Sequence, residues 1–211
     1  MCAYEQAKKD GRENFTDDSS VYAAYVAPPA IANGAEENVK LTHPSDFERL
    51  QSAERTGFGV DTHAFGKAQD FVVLCGVKIP SDSGFIAHSD GDVAVHAVMD
   101  ALLSALGRRD IGYYFPDTDQ QYKGADSTRL LSEVVRMMKE DGYKVKNLSV
   151  AIQAEKPRLS KYIDAMRERL ALLLEIPLQN VGITAGTNEK LGYVGEGKGV
   201  TVYASVLLYR P

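Results

Sequence analysis

The chain has 211 residues and a formal net charge of -5, room for one ordinary domain with a tail and enough to bury a core without covalent staples. At 44% hydrophobic and 25% charged it is a soluble globular mixture, and its acidic balance argues against a general nucleic-acid or membrane-surface binder. Two cysteines, Cys2 and Cys75, exclude a disulfide framework and, with the polar N-terminus, fit a reducing cytoplasm; no apolar run approaches the ~18 residues of a membrane span.

In chain order, residues 1–20 are strongly polar, residues 21–36 carry Pro28-Pro29 and several alanines, and residues 37–55 hold scattered charges. Apolar periodicity is weak there, so composition reads this stretch as a tail or linker. From Gly57 the pattern tightens. Residues 58–63 alternate like a strand; Phe71–Leu74 and Val77–Ile79 flank Gly76 as a second strand with a bend or bulge. Ser89 and Asp90 cap a helix predicted from about Asp92 to Leu106, closed by Gly107. Asp126 and Ser127 cap another to about Asp141, which Gly142 ends. Leu148–Ala154 reads as a strand, Leu159–Leu174 as an amphipathic helix, and Val181–Thr184 and Val200–Leu208 as strands. Helices and strands alternate without internal repeats, which predicts one α/β (α+β) domain.

Chemistry-bearing residues cluster. Asp61 and His63, two apart on a strand, share a face. Asp92 and His96, four apart near a helix start, share another, and Asp100 continues that stripe. One carboxylate and two imidazoles suffice for a divalent cation and leave a fourth position open to substrate. Each histidine alone reads as a surface or core residue; three of the four, His63, His88 and His96, lie beside aspartates in one short stretch, which favours a metal site. His88-Ser89-Asp90-Gly91-Asp92 opens a helix whose free N–H groups can meet an anion, or is ordinary capping. Asp110-Ile111-Gly112 and Phe115-Pro116-Asp117-Thr118-Asp119 form a carboxylate-rich loop able to bind hydroxyls or a cation, or a solvated turn. In Gly186-Thr187-Asn188-Glu189, Glu189 can ligate a hard cation such as magnesium and Thr187 can donate to a phosphate; a capped turn is the plain reading.

Taken in one order, GFGVDTHAFG at 57–66, HSDGDVAVHAVMDALL at 88–103, DIGYYFPDTD at 110–119, KGADS at 123–127 and TNEKLGYVGEGKG at 187–199 resemble the 2-C-methyl-D-erythritol 2,4-cyclodiphosphate synthases of the non-mevalonate isoprenoid pathway. The resemblance covers about residues 56–209. It implies a mixed β-sheet with helices packed on one face, in a homotrimer whose sheets face the trimer axis and whose active sites lie between subunits. It implies a lyase that closes a CDP-linked methylerythritol 2-phosphate to a cyclic diphosphate and releases CMP. By resemblance Asp61, His63 and His96 would hold zinc, and Glu189 would hold a second cation, magnesium or manganese. His88 and Thr187 would stabilise the transition state. Thr62 and Ser89 would contact substrate, and Asp110, Ile111, Gly112 and the Phe115–Asp119 loop would hold the methylerythritol part. Ala154, Glu155, Lys156, Pro157, Arg158, Leu159 and Ser160 would form the cytidine pocket, with Gly186, Asn188 and Tyr193 near the phosphates.

Two positions depart from the family pattern. Glu196 stands where an arginine is common, and a carboxylate repels an anion there; Lys198 is the nearby cation. Arg109 replaces a common glycine before Asp110.

The N-terminal region resembles the end of a methylerythritol phosphate cytidylyltransferase, through Ala3–Ala7, Phe15–Val21 and residues 37–47. Residues 1–55 are therefore expected to be a cytidylyltransferase-like remnant or linker without transferase activity, and residues 56–211 the synthase domain. Two other functions share these ligands: a metal-dependent phosphohydrolase, and an inactive nucleotide- or isoprenoid-phosphate-binding homologue.

Overall fold

The computed structural model describes residues 2–12, 14–35, 38, 40–44, 46, 54–116, 118–122 and 124–211. They form two compact units, Met1–Phe47 and Glu48–Pro211.

The first unit holds helices where composition predicts a tail. Helix α1 spans Ala3–Lys9 and α2 spans Asp18–Tyr25. Local signals start and tie them. Asp17 accepts the Ser20 N–H at 2.8 Å, and Ser20 Oγ returns a bond to the Asp17 backbone, a capping box. Ala7 and Val21 are buried, and the Arg12 guanidinium lies 5.4 Å from the Phe15 ring centre and 5.9 Å from that of Tyr25. Of the segment 37–47, Glu37, Val39, Ser45 and Phe47 lie outside the described residues.

The second unit is a five-stranded mixed sheet. Strands β1 (Arg55–Lys67), β4 (Gly84–Phe85), β5 (Lys144–Gln153), β6 (Val181–Gly186) and β7 (Gly199–Tyr209) take the order β4-β1-β7-β5-β6. All neighbours are antiparallel except β5 and β6, which run parallel because a helix connects them. Strands β2 (Phe71–Leu74) and β3 (Val77–Pro80) pair as a separate hairpin. Cys75 (φ 54°) and Gly76 (φ 74°) both turn left-handed between them, so the expected bend reverses the chain.

Helices α3 (Val93–Ala105), α5 (Ser127–Glu140) and α6 (Ile163–Leu174) pack on one face of the sheet. Short helices α4 (Ile111–Tyr114) and α7 (Gly192–Gly195) lie in loops. The amphipathic helix begins later than predicted, because residues 160–162 form a 3-10 turn first. Val93–Ala97, Val98, Met99, Leu102 and Leu103 are all buried, so α3 is the central element of the core, and apolar residues of β5 and β7 close it from the sheet.

Two glycines set how closely α3 lies. A Cβ at Gly57 would stand 1.9 Å from the Ala101 carbonyl oxygen, and one at Gly59 2.2 Å from that of Ala97. The helix backbone therefore rests directly on β1. Asp92 ties the helix start to the hairpin turn. It accepts N–H bonds from Val95 (3.0 Å), Cys75 (2.9 Å) and Gly76 (2.5 Å) while fully buried. On the opposite sheet face Phe58, Val60 and Thr62 of β1 and Ser149 and Ala151 of β5 are exposed, and among the described residues of this unit no helix covers them.

Candidate active site

Residues 57, 59, 61 and 63 share the helix-facing side of β1. The glycines admit the helix, and the next two residues reach its first turn, where His96 points inward. Asp61 Oδ2 lies 3.1 Å from His63 Nε2 and 3.1 Å from His96 Nδ1. The three candidate ligand atoms all fall within 4.8 Å of one another. Tetrahedral zinc with arms of about 2.0–2.1 Å separates its ligands by roughly 3.3 Å, so this donor set fits a divalent cation in spacing and chemistry. His63 Nδ1 donates to the Gly91 carbonyl at 3.1 Å, which turns Nε2 toward Asp61 as the atom available to a cation. The His63 ring is held edge-on by Phe85 and by His96.

Electrostatics follow from the packing. Burial pushes the Asp61 carboxyl up, but hydrogen bonds and charge from His63 and His96 outweigh it and hold the group well below the usual carboxylate range. Burial lowers His96, but the bond and charge of Asp61, with Asp92 and Asp90 behind, outweigh it and leave the imidazole raised. Asp100 is raised by burial, partly offset by the Ile111 N–H that it accepts at 2.8 Å.

A cleft of about 580 Å³ opens on the cluster. Asp61, His63, His88, Ser89 and His96 line it together with Ile111, Gly112 and Phe115. Asp110 does not line this cleft; it lines another with Phe58, Val60 and Asp100, and it caps α4 by accepting the Tyr113 N–H at 3.1 Å. Asp119 accepts bonds from the backbone and side chain of Gln121; Pro116 and Thr118 do not line the cleft, and Asp117 lies outside the described residues. Ile86, Ala87, Met99, Tyr122 and Leu130 complete the wall. These residues come from four separate segments and carry no local signature, so sequence reasoning missed them.

Other predicted residues sit elsewhere. Thr62 faces the opposite side of the sheet, its Oγ1 3.0 Å from that of Thr201, which is 2.6 Å from the Tyr193 hydroxyl. Glu155, Lys156, Pro157 and Arg158 line a second cleft of about 730 Å³ with Phe65, Ser81 and Asp82. Ala154 and Leu159 belong to the core, and Ser160 starts the 3-10 turn. Glu155 Oε1 accepts the N–H groups of Asn188 (3.1 Å) and Lys190 (3.3 Å). That holds the loop after Gly186, in which Glu189 and Lys190 are left-handed and Thr187 Oγ1 donates to Glu189 at 2.8 Å. Gly186, Thr187, Asn188, Glu189 and Tyr193 line neither cleft. Glu196 pairs with Lys198 at 2.5 Å, so the departing carboxylate is matched by the cation two residues on.

Comparison with known proteins bears on this arrangement. Residues 54–209 match the YgbB family, nearly all of the second unit. The chain belongs to the YgbB family. Among its relatives is the bifunctional enzyme IspD/IspF of a Sulfurovum species, 51% identical over 198 residues, covering 90% of this chain and 52% of the relative. The chain thus spans about half the length of the curated relatives it matches. A CDP-bound structure of 2C-methyl-D-erythritol-2,4-cyclodiphosphate synthase superposes with a TM-score of 0.68 at 39% identity, over 73% of this chain and 99% of that one. The bifunctional IspDF of Campylobacter jejuni superposes with a TM-score of 0.72 at 36% identity, over 98% of this chain and 58% of that one. The family's fold is the mixed sheet with a helical layer described above. No helix among the described residues is long and apolar enough to cross a membrane.

Proposed function

We infer that this YgbB-family chain is a cyclodiphosphate synthase of isoprenoid biosynthesis, which converts 4-diphosphocytidyl-2-C-methyl-D-erythritol 2-phosphate to 2-C-methyl-D-erythritol 2,4-cyclodiphosphate and CMP. The observation that carries it is the Asp61–His63–His96 group opening onto a cleft in a family member. The 2-phosphate is already a nucleophile, so no strong base is needed; the protein must bring two anions together and fold the substrate on itself. Asp61, His63 and His96 would hold zinc, which supplies Lewis-acid stabilisation of charge on the diphosphate. His88 and Ser89 line the same cleft and would donate to phosphate oxygens, and Ile111, Gly112 and Phe115 would form the wall for the methylerythritol part; Asp110, next in the chain, would contact it from outside this lining. Glu189 would hold a second cation, magnesium or manganese, and Thr187 would donate to a phosphate in the transition state.

The active form is a homotrimer with sites between copies. Its support is that the Lys156–Arg158 loop lines a cleft other than that of the zinc ligands. The sheet face on which Phe58 is 58% and Val60 48% exposed then faces the trimer axis. Residues 1–55 are a cytidylyltransferase-like segment, a reading supported by the bifunctional relatives. Free Cys2 and Cys75 suit a reducing cytoplasm.

Phosphorus NMR of a turnover with zinc and magnesium tests the activity. A cyclic diphosphate with CMP is expected. Release of a linear phosphate makes the chain a phosphohydrolase, and no turnover makes it an inactive homologue.

A further inference from the structure

The KGADS run at 123–127 belongs to the motif series, yet none of its described residues lines either cleft. Its serine lies behind His96. The imidazole turns Nδ1 to Asp61, while Nε2 lies 2.9 Å from Ser127 Oγ and 3.3 Å from Ser89 Oγ. Ser127 is fully buried. Its hydroxyl lies 2.5 Å from Asp90 Oδ1, and its backbone N–H donates to Asp90 Oδ2 at 3.1 Å.

Donor counting orders this chain of groups. An ionised carboxylate only accepts, so the one Ser127 hydroxyl proton points at Asp90 and an oxygen lone pair faces His96. Nε2 then carries one imidazole proton; in the absence of a cation Nδ1–H donates to Asp61, and that second proton is the one a metal would displace. The support is itself anchored on both sides. Asp90 Oδ1 also accepts the Asp92 N–H at 3.2 Å, Asp90 N–H donates to the Ala125 carbonyl at 3.1 Å, and Gly124 N–H donates to the His88 carbonyl at 2.8 Å. The segment ending in Ser127 is thereby clamped to the turn that opens α3.

We propose that Ser127 and Asp90 are positioning residues that lock His96 in its Nε2–H form, so that Nδ1 is the metal-ligating atom. The proposal rests on the metal reading of Asp61, His63 and His96. It gives the two histidines opposite attachments: His63 presents Nε2 because a backbone carbonyl holds its Nδ1–H, and His96 presents Nδ1 because a serine–aspartate pair holds its Nε2–H. Partners of this kind set ring orientation and ligand basicity, and their loss typically weakens metal binding about 10–100-fold.

The test measures zinc affinity of the full chain by competition with a chromophoric chelator, for the parent, Ser127→Ala and Asp90→Asn. Long-range proton–nitrogen spectra of the imidazoles are recorded on the zinc-loaded parent. Both variants are expected to keep the parent's circular dichroism and to bind zinc about 10–100-fold more weakly. The parent's His96 is expected to show a proton on Nε2 and a coordinated Nδ1. Affinity within twofold of the parent in both variants, or a zinc-loaded His96 with its proton on Nδ1, overturns the positioning role and leaves the metal group standing. A parent that binds no zinc overturns the metal reading, and this proposal with it. Should a variant not fold, the parent's spectrum decides alone.

Discussion

In the metal-free protein the Asp61 carboxylate meets His96 Nδ1 at 3.1 Å, and the pair titrates as a consequence. His96 is raised, so the stability it contributes is complete below its unfolded value near 6.5 and is lost as pH rises through its folded value. Asp61 is depressed, so its contribution is present above an unfolded value of about 3.9 and is lost as pH falls through its folded value. Both contributions therefore coexist only in mildly acidic to neutral solution. Melting scans in chelator should show the metal-free protein losing stability from about pH 6.5 upward. Zinc must displace the His96 proton, so zinc affinity should rise with pH over that same range, by up to about tenfold per unit below the folded value. A pH-independent zinc affinity between 6 and 8 would contradict the shared Asp61–His96 proton.

At the scale of elements, the contact of α3 with β1 governs the site, because the strand places Asp61 and His63 and the helix places His96. Gly59→Ala drives a Cβ into the Ala97 carbonyl, one residue from His96. The nearest atoms are helix backbone and cannot rotate away, so the helix must shift. A loss of about 1–3 kcal/mol in urea unfolding is expected, together with weakened zinc binding. Unchanged zinc affinity in a destabilised variant would separate the packing of this pair from the geometry of the cluster. The short elements show what local signals alone can do. Asp17 and Ser20 specify the start of α2 in a stretch whose composition reads as linker, because one cap outweighs weak apolar periodicity over a helix of 8 residues. Paired left-handed residues at Cys75 and Gly76 make a hairpin turn where glycine alone signals only a bend.

At the scale of the whole molecule, the proposed function requires two clefts to meet between copies. The Asp61–His63–His96 group and the Lys156–Arg158 loop line separate clefts of one chain; in the proposed trimer a second copy would unite them. His96→Ala and Arg158→Glu chains should each be inactive alone. Refolded or expressed together, random assortment at equal amounts leaves roughly a quarter of the sites with both halves intact. Recovery of activity near that fraction supports sites between copies, and none places the whole site in one chain. Light scattering should give three copies per particle.

The Asp61–His63–His96 group was legible in the chain because its spacings are local. Asp61 with His63 follows the two-residue period of a strand, His96 sits in a helix start announced by capping aspartates, and the motif order pointed to one family. The predicted strands at 148–154, 181–184 and 200–208 and both capped helices appear within a few residues of their expected ends, since each is set by short-range pattern and caps. What only the tertiary structure decided is non-local. Nothing near Ser127 or Asp90 in sequence says that they back His96 across 31 and 6 positions. Alternation puts Thr62 on the far side of the sheet from Asp61, but only the helical layer shows which side holds the cleft. The order β4-β1-β7-β5-β6 brings the first and last strands together, and the Asp61–His63–His96 group and the Lys156–Arg158 loop line different clefts. Local propensity and spacing determine which groups are available; close packing of α3 on two glycines determines which of them meet.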